Sequence, residues 1–181
     1  GKLDAVAGDG DHGIGMANGS RAAVKTGKEM LDQGAGAKTT LSAAGAAWSN
    51  GAGGTSGALW GAILTAIGGV LGDQDQTNEN TIADALQAGL DAVQRLGGAQ
   101  VGDKTMVDAM VPMVEAFKGT DGDLKAKAEA AAKAAHEGAE STRDMVAKLG
   151  RARPLGEKSV GTPDPGAVSL TRIAELLITK L

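Results

Sequence analysis

The residues best suited to chemistry fall in one short stretch near the start of the chain. Three aspartates, Asp4, Asp9 and Asp11, lie within eight residues and are separated or followed by glycines. Because glycine adopts backbone angles that are closed to other residues, this segment can fold sharply and bring the carboxylates together. Two carboxylates about 4 Å apart repel by roughly 4 kcal/mol at an effective dielectric near 20, so such a cluster favours a bound cation.

The donor chemistry indicates which cation this would be. Carboxylate oxygens are hard ligands, which favour Mg²⁺ or Ca²⁺ over zinc or copper. An EF-hand does not fit, because with Asp9 and Asp11 as the first two ligands the third would be Gly13, and Ile14 would replace the turn glycine. The alternative is an acidic turn in which Asp and Gly have their usual turn roles.

Composition excludes several classes of function. The net charge is −4 and no basic run is present, which argues against a nucleic-acid partner. Cysteine is absent, so disulfides, thiolate chemistry and structural zinc sites are excluded. Aromatic residues make up only 2 % of the 181 residues, too few for a base-stacking platform. The abundant alanine and glycine favour close-packed helices in one domain over residues 1–181.

A membrane partner is not expected. The uncharged run Gly57 to Gly72 has 16 residues, fewer than the roughly 20 that a bilayer span needs, and predicts a buried helix. No signal peptide is visible, so a cytoplasmic location is the default. The chain begins with glycine rather than methionine, which indicates a fragment or a processed product.

The spacing of apolar residues predicts an all-α fold with about seven helices and no strands. Short turns between consecutive helices imply antiparallel neighbours, so alternate loops should share one end of the bundle. The predicted helices run from Ile14 to about Leu31, from about Thr39 to Trp48, from Thr55 through the apolar run, from Thr81 to Leu96, from Thr105 to Phe117, from Asp123 to Lys148 and from Ala167 to Leu181. The helix from Thr81 to Leu96 is amphipathic, and its predicted apolar face consists of Ile82, Ala85, Leu86, Leu90 and Val93.

Two loops could bind an anion. The glycines of 49–54 form a flexible loop before a helix start, where backbone amides can bind phosphate, although an ordinary helix–helix turn explains them equally well. The segment 150–166 is long and carries charges of both signs, as functional loops often do. Thr39, Thr40 and Ser42 could cap the second helix, Thr55 or Ser56 the third, and Thr105 the fifth.

Larger side chains have less specific interpretations. Trp48 and Trp60 are expected in the core, and Met106, Met110 and Met113 lie along one helix side. Such methionines are usually core residues, although thioethers could also support a flat adenine ring. His136 lies between Ala135 and Glu137 and is expected at the surface.

Four motifs in this order carry a resemblance to a known family. They are GDGDHG at 8–13, GGTSG at 53–57, GDKTMVDAM at 102–110 and GRARPLGEKSVGTPDPGA at 150–167. Over its whole length the chain resembles the nucleotide-binding domain of dihydroxyacetone kinases, which is the L subunit or the C-terminal domain. The resemblance implies an antiparallel up-and-down barrel of eight helices, of which the first is missing here.

The resemblance also implies the site. Asp4, Asp9 and Asp11 correspond to the carboxylates that hold two Mg²⁺ ions. ADP or ATP would contact His12, Gly13, Ile14, Gly15, Gly54, Thr55, Ser56, Gly97, Met106, Arg151, Asp164, Pro165 and Gly166. No covalent nucleophile is expected, because the family's sugar-anchoring histidine belongs to another domain.

The implied function is that of a phosphoryl donor to a ketose bound on a separate domain or subunit. The fatty-acid kinase relatives read DGDTG in the aspartate loop, so His12 favours the sugar-kinase branch. The residues of the motifs are also similar to those of single-chain kinases of actinobacteria, some of which act on erythrulose. Two alternatives stay open: an ADP carrier recharged by a phosphotransferase-system phosphocarrier, and a non-catalytic helical interaction module.

Overall fold

The computed structural model describes residues 11–74, 77–150 and 152–181. Within them the chain forms seven α-helices and two short 3₁₀ helices and no strand, which confirms the all-α prediction. The α-helices are α1 (Asp11–Asp32), α2 (Ala37–Ala52), α3 (Gly54–Leu71), α4 (Glu79–Gly97), α5 (Val107–Gly119), α6 (Leu124–Ser141) and α7 (Pro165–Ile178). The 3₁₀ helices are Thr142–Asp144 and Arg153–Ser159. The expected absence of a first helix stays a prediction.

The chain divides into two compact units, each with its own packing. Among the described residues, the first unit contains Asp11, His12 and Ala99–Leu181, and the second contains Gly13–Gly98. Helices α5, α6 and α7 therefore form the first unit, and α2, α3 and α4 belong to the second with nearly all of α1.

In the second unit, α2 and α3 approach to backbone contact. A Cβ atom on Gly45 would lie 2.8 Å from the carbonyl oxygen of Gly61, and one on Gly61 would lie 2.9 Å from that of Gly45. Beside this contact the rings of Trp48 and Trp60 stack with centroids 5.0 Å apart and planes 12° apart. Both indoles are buried, which confirms them as core residues.

Helix α2 continues to Ala52, beyond the predicted end near Trp48. Gly51 lies in its last turn against α1, where a Cβ atom would be 3.1 Å from the carbonyl oxygen of Asn18. Only Gly53 separates α2 from α3, so the prediction of a flexible loop over 49–54 is wrong. The glycines there let helices pack closely rather than extend a loop.

The N-terminus of α2 is capped from a distant part of the chain. The carboxylate of Asp73 accepts hydrogen bonds from the Thr39 backbone N–H at 2.9 Å and from its hydroxyl at 2.8 Å. These bonds lower the pKa of Asp73. The N-cap position is Gly36, which has no side-chain cap, so the predicted caps Thr39, Thr40 and Ser42 are wrong.

Helix α4 follows its amphipathic pattern closely. The Asn78 side chain caps it by accepting a 3.0 Å bond from the Thr81 N–H, and the helix ends at Gly98 in the left-handed region with φ 71°. Its buried residues are Ala85, Gly89, Leu90, Ala92 and Val93. Gly89 faces Ile63 and Ile67 of α3, so the predicted apolar face packs against that helix.

The apolar run forms α3, which is 18 residues long. Among the described residues, it is the one helix long and apolar enough to cross a membrane, by length and composition alone. Its buried residues are Gly57, Trp60, Gly61, Ile63 and Gly68. The rest of the helix is half-buried or exposed, so the expectation of a buried helix holds for one face only.

In the first unit, α5 and α6 meet where α5 contains Pro112. Proline has no N–H, so Pro112 cannot donate to the carbonyl of Asp108 one turn earlier. Gly138 of α6 lies directly against that carbonyl, and a Cβ atom there would overlap the Asp108 oxygen. Met106, Met110 and Met113 are buried, as the core interpretation predicted.

Helix α6 ends at Ser141, earlier than the predicted Lys148. The next residue, Thr142, is fully buried, and its hydroxyl donates to the Ala139 carbonyl at 2.6 Å and accepts from the Asp164 N–H at 2.7 Å. The segment 150–166 is partly helical rather than irregular, with a kink at Gly156. His136 lies at the surface as predicted, 60 % exposed.

Candidate functional site

The predicted metal ligands fall at the limit of the described residues. Asp4 and Asp9 lie outside them, and so does the side chain of Asp11, whose backbone begins α1. Within residues 11–74, 77–150 and 152–181 no group of three His, Asp or Glu side chains could hold a metal. The aspartate cluster therefore stays a prediction.

His12 contacts the last helix of the first unit. Its Nε2 atom lies 2.8 Å from the hydroxyl oxygen of Ser169 on α7, and the imidazole is half-buried. Ser169 stands three residues beyond Gly166, so His12 lies beside the start of α7. Sequence reasoning missed Ser169, because a serine in an amphipathic helix gives no signal of a contact made 157 residues away.

The first unit also brings Met106 beside the turn Asp164–Gly166. A Cβ atom on Gly166 would lie 3.7 Å from the Cβ of Met106 and 3.1 Å from Oδ2 of Asp164. Met106 is buried, with 6 % of its surface exposed. Pro165, the central residue of the turn, is buried as well. Five residues predicted to contact a nucleotide thus belong to one neighbourhood of this unit: His12, Met106, Asp164, Pro165 and Gly166.

Asp164 has an unusual electrostatic environment for a helix cap. Its Oδ2 accepts a 2.8 Å bond from the Ala167 N–H and so caps α7. Burial of the carboxyl raises its pKa to about 6, and the charge of Asp108 acts in the same direction. The bond from Ala167 and the charge of Lys104 oppose this shift. Asp164 can therefore change its charge just below neutral pH.

The turn 102–105 holds a buried cation that sequence reasoning did not single out. Lys104 is 1 % exposed, and its Nζ donates to the carbonyls of Ser159 at 2.5 Å, Thr162 at 2.7 Å and Met145 at 3.2 Å. Desolvation lowers its pKa. The lysine lies in the motif GDKTM, whose glycine and charged residues indicate an ordinary polar turn and give no sign of burial. Arg151, predicted for the same loop region, lies outside the described residues.

The same turn is fixed from its other side by Asp108. Its carboxylate accepts bonds from the backbone N–H groups of Gly102 at 2.6 Å and Thr105 at 2.8 Å. The Thr105 hydroxyl in turn accepts from the Val107 N–H at 3.2 Å. Asp108 thus binds the Thr105 N–H as in a capping box, but the Thr105 hydroxyl binds the N–H of Val107 rather than that of Asp108. Thr105 therefore caps α5 in part, although the N-cap position itself is Met106.

In the second unit, the glycines at the junction of α2 and α3 leave the start of α3 open. Gly53 and Gly54 both adopt positive φ, 66° and 64°, which favours glycine at each position. The helix begins at Gly54, and its N-cap makes no side-chain bond. Thr55 and Ser56 lie in the first turn, so the prediction that either caps the helix is wrong. Gly53, Gly54 and Thr55 are exposed.

Two further predicted residues lie near this helix in the same unit. A Cβ atom on Gly15 would be 3.8 Å from the carbonyl oxygen of Ala52, directly before the glycine pair. One on Gly97 would be 3.5 Å from the Leu59 side chain, one turn into α3. The second unit therefore collects Gly13, Ile14, Gly15, Gly54, Thr55, Ser56 and Gly97 around the first turns of α1 and α3 and the end of α4.

The chain is similar to known sugar kinases over nearly its full length. It is 56 % identical to the L-erythrulose 1-kinase of Mycolicibacterium smegmatis and 47 % identical to the L-erythrulose kinase of Pectobacterium atrosepticum. These matches cover 98 % and 97 % of this chain but 31 % and 30 % of the two relatives. The chain thus spans about a third of the length of those relatives.

A shorter relative and a solved structure match as well. The chain is 35 % identical to the ADP-binding subunit of the PEP-dependent dihydroxyacetone kinase 2 of Listeria innocua, covering 99 % of this chain and 84 % of that subunit. The crystal structure of the dihydroxyacetone kinase from C. freundii in complex with AMP-PNP and Mg²⁺ matches with a TM-score of 0.71 at 30 % identity, over 99 % of this chain and 30 % of that one.

These similarities confirm the family predicted from the four motifs. The solved structure has the predicted fold, that of the L-type domain of dihydroxyacetone kinases. The family model for the DAK2 domain matches residues 6–179. The chain belongs to the DAK2 domain family.

Proposed function

We propose that this chain is the Mg–nucleotide-binding, phosphoryl-donor domain of a kinase for dihydroxyacetone or a related ketose such as erythrulose. The sugar would be bound by a separate domain or subunit, without which this cytoplasmic kinase domain is incomplete. Relatives named as erythrulose kinases, which this chain matches over about a third of their length, support this proposal.

The open N-terminus of α3 is the observation that carries the proposal. The first backbone N–H groups of an α-helix have no acceptor inside the helix and lie at the positive end of its dipole. The N-cap of α3 is Gly53, which makes no side-chain bond, and both Gly53 and the first helical residue Gly54 are exposed. Such an end can bind the phosphates of a nucleotide through the amides of Gly54, Thr55 and Ser56.

The chemistry of the predicted donor set fits magnesium. Asp4, Asp9 and Asp11 supply only carboxylate oxygens, the ligands that Mg²⁺ prefers, and together they would hold two ions. When bound, these ions neutralise charge on the phosphates during transfer.

The other predicted residues would position the nucleotide. We assign backbone contacts with phosphate to Gly13, Ile14 and Gly15 at the start of α1, and a charged contact to Arg151. Met106, Gly97 and the turn Asp164–Gly166 would lie on the side of the base. His12 would orient the nucleotide and would not carry a phosphoryl group. Phosphoryl transfer depends mainly on positioning and electrostatic stabilisation, so no covalent nucleophile is needed.

An ADP carrier is the second candidate. It is favoured by the 35 % identity to an ADP-binding subunit of a PEP-dependent kinase, of which this chain covers 84 %. In that role the bound ADP would be rephosphorylated in place by a phosphotransferase-system phosphocarrier. Slow release of ADP separates such a carrier from a kinase domain that exchanges ATP freely.

Calorimetric titration with ADP and with ATP, each with and without Mg²⁺, tests the proposal. We expect Mg²⁺-dependent binding, which the double substitution Asp9→Ala and Asp11→Ala abolishes. Asp84→Ala, an exposed aspartate on α4, is the matched control and should bind as the parent does. Rapid ATP exchange supports the kinase domain, and tight ADP with slow release supports the carrier. Absence of binding by the parent chain contradicts both and leaves a helical interaction module.

A further inference from the structure

Lys104 occupies a position that few lysines tolerate. It is 1 % exposed and has a φ of 62°, the one positive value at a non-glycine residue in the described part of the chain. The left-handed region is unfavourable for a side chain with a Cβ atom, and a buried ammonium is unfavourable unless its protons are hydrogen-bonded. Glycine would suit this backbone better, so the side chain must supply the reason for lysine here.

The ammonium group is fully used by the protein itself. Lysine Nζ has three protons to donate, and three carbonyl oxygens receive them, those of Met145, Ser159 and Thr162. All three acceptors belong to the connection between α6 and α7. Since no proton is left for a ligand, Lys104 can influence binding through the segment that it holds and through its charge near Asp164.

That segment ends at the turn predicted to contact the nucleotide. Thr162 is two residues before Asp164, and Lys104 is two residues before Met106. The side chain of Lys104 therefore joins the two stretches that place Met106 beside Gly166. Other hydrogen bonds assist it, among them the bond from the Lys148 N–H to the Asp103 carbonyl at 3.2 Å. That bond holds the connection at one residue, whereas Lys104 holds it at three.

We propose that Lys104 is a positioning residue for nucleotide binding, which fixes the turn Asp164–Gly166 against Met106 by binding three carbonyls of the connection between α6 and α7. This inference rests on the proposed function. It assigns a role to a residue that makes no contact of its own with the nucleotide.

The absence of cysteine from the chain makes a sharp test possible. Lys104→Met keeps the length of the side chain and removes its donors, and we expect affinity for Mg–ADP to fall at least tenfold. Lys104→Cys, alkylated with bromoethylamine in denaturant and refolded, restores an ammonium at nearly the original position. We expect that protein to regain affinity within about threefold of the parent, and Lys104→Cys alkylated with iodoacetamide to stay weak.

Lys127 provides a matched control in the same unit. Its Nζ also donates to backbone carbonyls, those of Thr120 at 2.6 Å and Phe117 at 3.4 Å, but at the junction of α5 and α6. Lys127→Met should lower thermal stability and leave affinity for Mg–ADP unchanged. Equal affinity losses in the two methionine variants would overturn the inference, because they would reflect general destabilisation. Parent-like affinity in Lys104→Met would overturn it as well.

Hydrogen exchange separates failure of this inference from failure of the proposed function. If the parent binds no nucleotide, the proposed function fails, but exchange of the backbone amides still reports whether Lys104 holds the turn. We expect faster exchange over 159–168 in Lys104→Met and no change in α2–α4. Unchanged exchange over 159–168 would overturn the role of Lys104. If Lys104→Met does not fold, Lys104→Gln, which keeps an amide donor, replaces it in the exchange measurement.

Discussion

The Nε2 atom of His12 lies 2.8 Å from the hydroxyl oxygen of Ser169, and both residues belong to the first unit. We expect Ser169→Ala to weaken Mg–nucleotide binding by about 2- to 12-fold, the range that corresponds to a net hydrogen bond of 0.5–1.5 kcal/mol. The reason is that the imidazole of His12, which we propose to contact the nucleotide, loses a hydrogen bond that fixes its orientation. Calorimetric titration with Mg–ADP measures the effect.

Ser20→Ala is the control for the serine-to-alanine change. Among the described residues, the Ser20 hydroxyl donates to the Ala17 carbonyl within its own helix, at 3.2 Å. It should leave affinity unchanged. Parent-like affinity in Ser169→Ala would show that the bond from Ser169 does not orient His12 for binding.

Gly138 is required by the close packing of α5 and α6. We expect Gly138→Ala to destabilise the protein by roughly 1–3 kcal/mol, because the new methyl group would overlap the Asp108 carbonyl oxygen and lie 2.9 Å from Pro112 Cγ. The better helix propensity of alanine, about 1 kcal/mol, offsets only part of this. Urea denaturation followed by circular dichroism gives the difference.

Gly69→Ala is the matched substitution with the opposite expectation. Gly69 is an exposed glycine within α3, and a Cβ atom there meets nothing within 4 Å among the described residues. Only the higher helix propensity of alanine remains, so the free energy of unfolding should rise by about 0.5–1 kcal/mol. A loss of stability at both positions would show that helix packing is not what distinguishes Gly138.

The cap on α2 predicts a stability change that depends on pH. Asp73→Ala removes both acceptors of Thr39, and the melting temperature should fall at neutral pH. The hydrogen bonds from Thr39 lower the pKa of Asp73, so its contribution is present above the unfolded value near 3.8 and is lost as pH falls through the lower folded value. The two proteins should therefore melt more alike in acid than at pH 7.

A double-mutant cycle isolates this contact. In a Thr39→Val background the hydroxyl donor is gone, so Asp73→Ala should cost less than in the parent. Equal costs in the two backgrounds would contradict a shared bond between these side chains.

Elements with a regular apolar pattern were predictable from the sequence. In α4 the spacing of Ala85, Leu90 and Val93 gave the buried face, because a 3.6-residue period directly reports which side of a helix meets its neighbour. The four motifs likewise identified the family. Met106 and the turn Asp164–Gly166, which were both predicted to contact a nucleotide, lie together in the first unit.

Features that depend on distant contacts were not predictable. Gly51 looks like a loop residue in a local window, yet it continues α2 because α1 packs against it. Asp73 caps a helix that begins 36 residues earlier, where local rules named Thr39 instead. Lys104 gives no sign of burial in the sequence, because the three carbonyls that bind it are 41 to 58 residues away.

The elevated pKa of Asp164 predicts a stability change between about pH 4 and 6. Its folded value, about 6, lies above the ordinary value of 3.8, so the folded protein binds a proton that the unfolded chain has released. Stability from this group is therefore fully present below pH 4 and is lost as pH rises through 6. Asp164→Asn keeps an oxygen that can accept from the Ala167 N–H and removes the charge.

We expect Asp164→Asn to be about 1–3 kcal/mol more stable than the parent at pH 7.5, and to lose this advantage by pH 4. Urea denaturation at closely spaced pH values measures the difference. Asp123→Asn, at the exposed N-cap of α6 where Asp123 accepts from the Ala126 N–H at 2.9 Å, controls for replacing a capping aspartate by asparagine. Parallel stability curves for the parent and Asp164→Asn would mean that the carboxylate is well solvated, since burial is the main cause of its raised pKa.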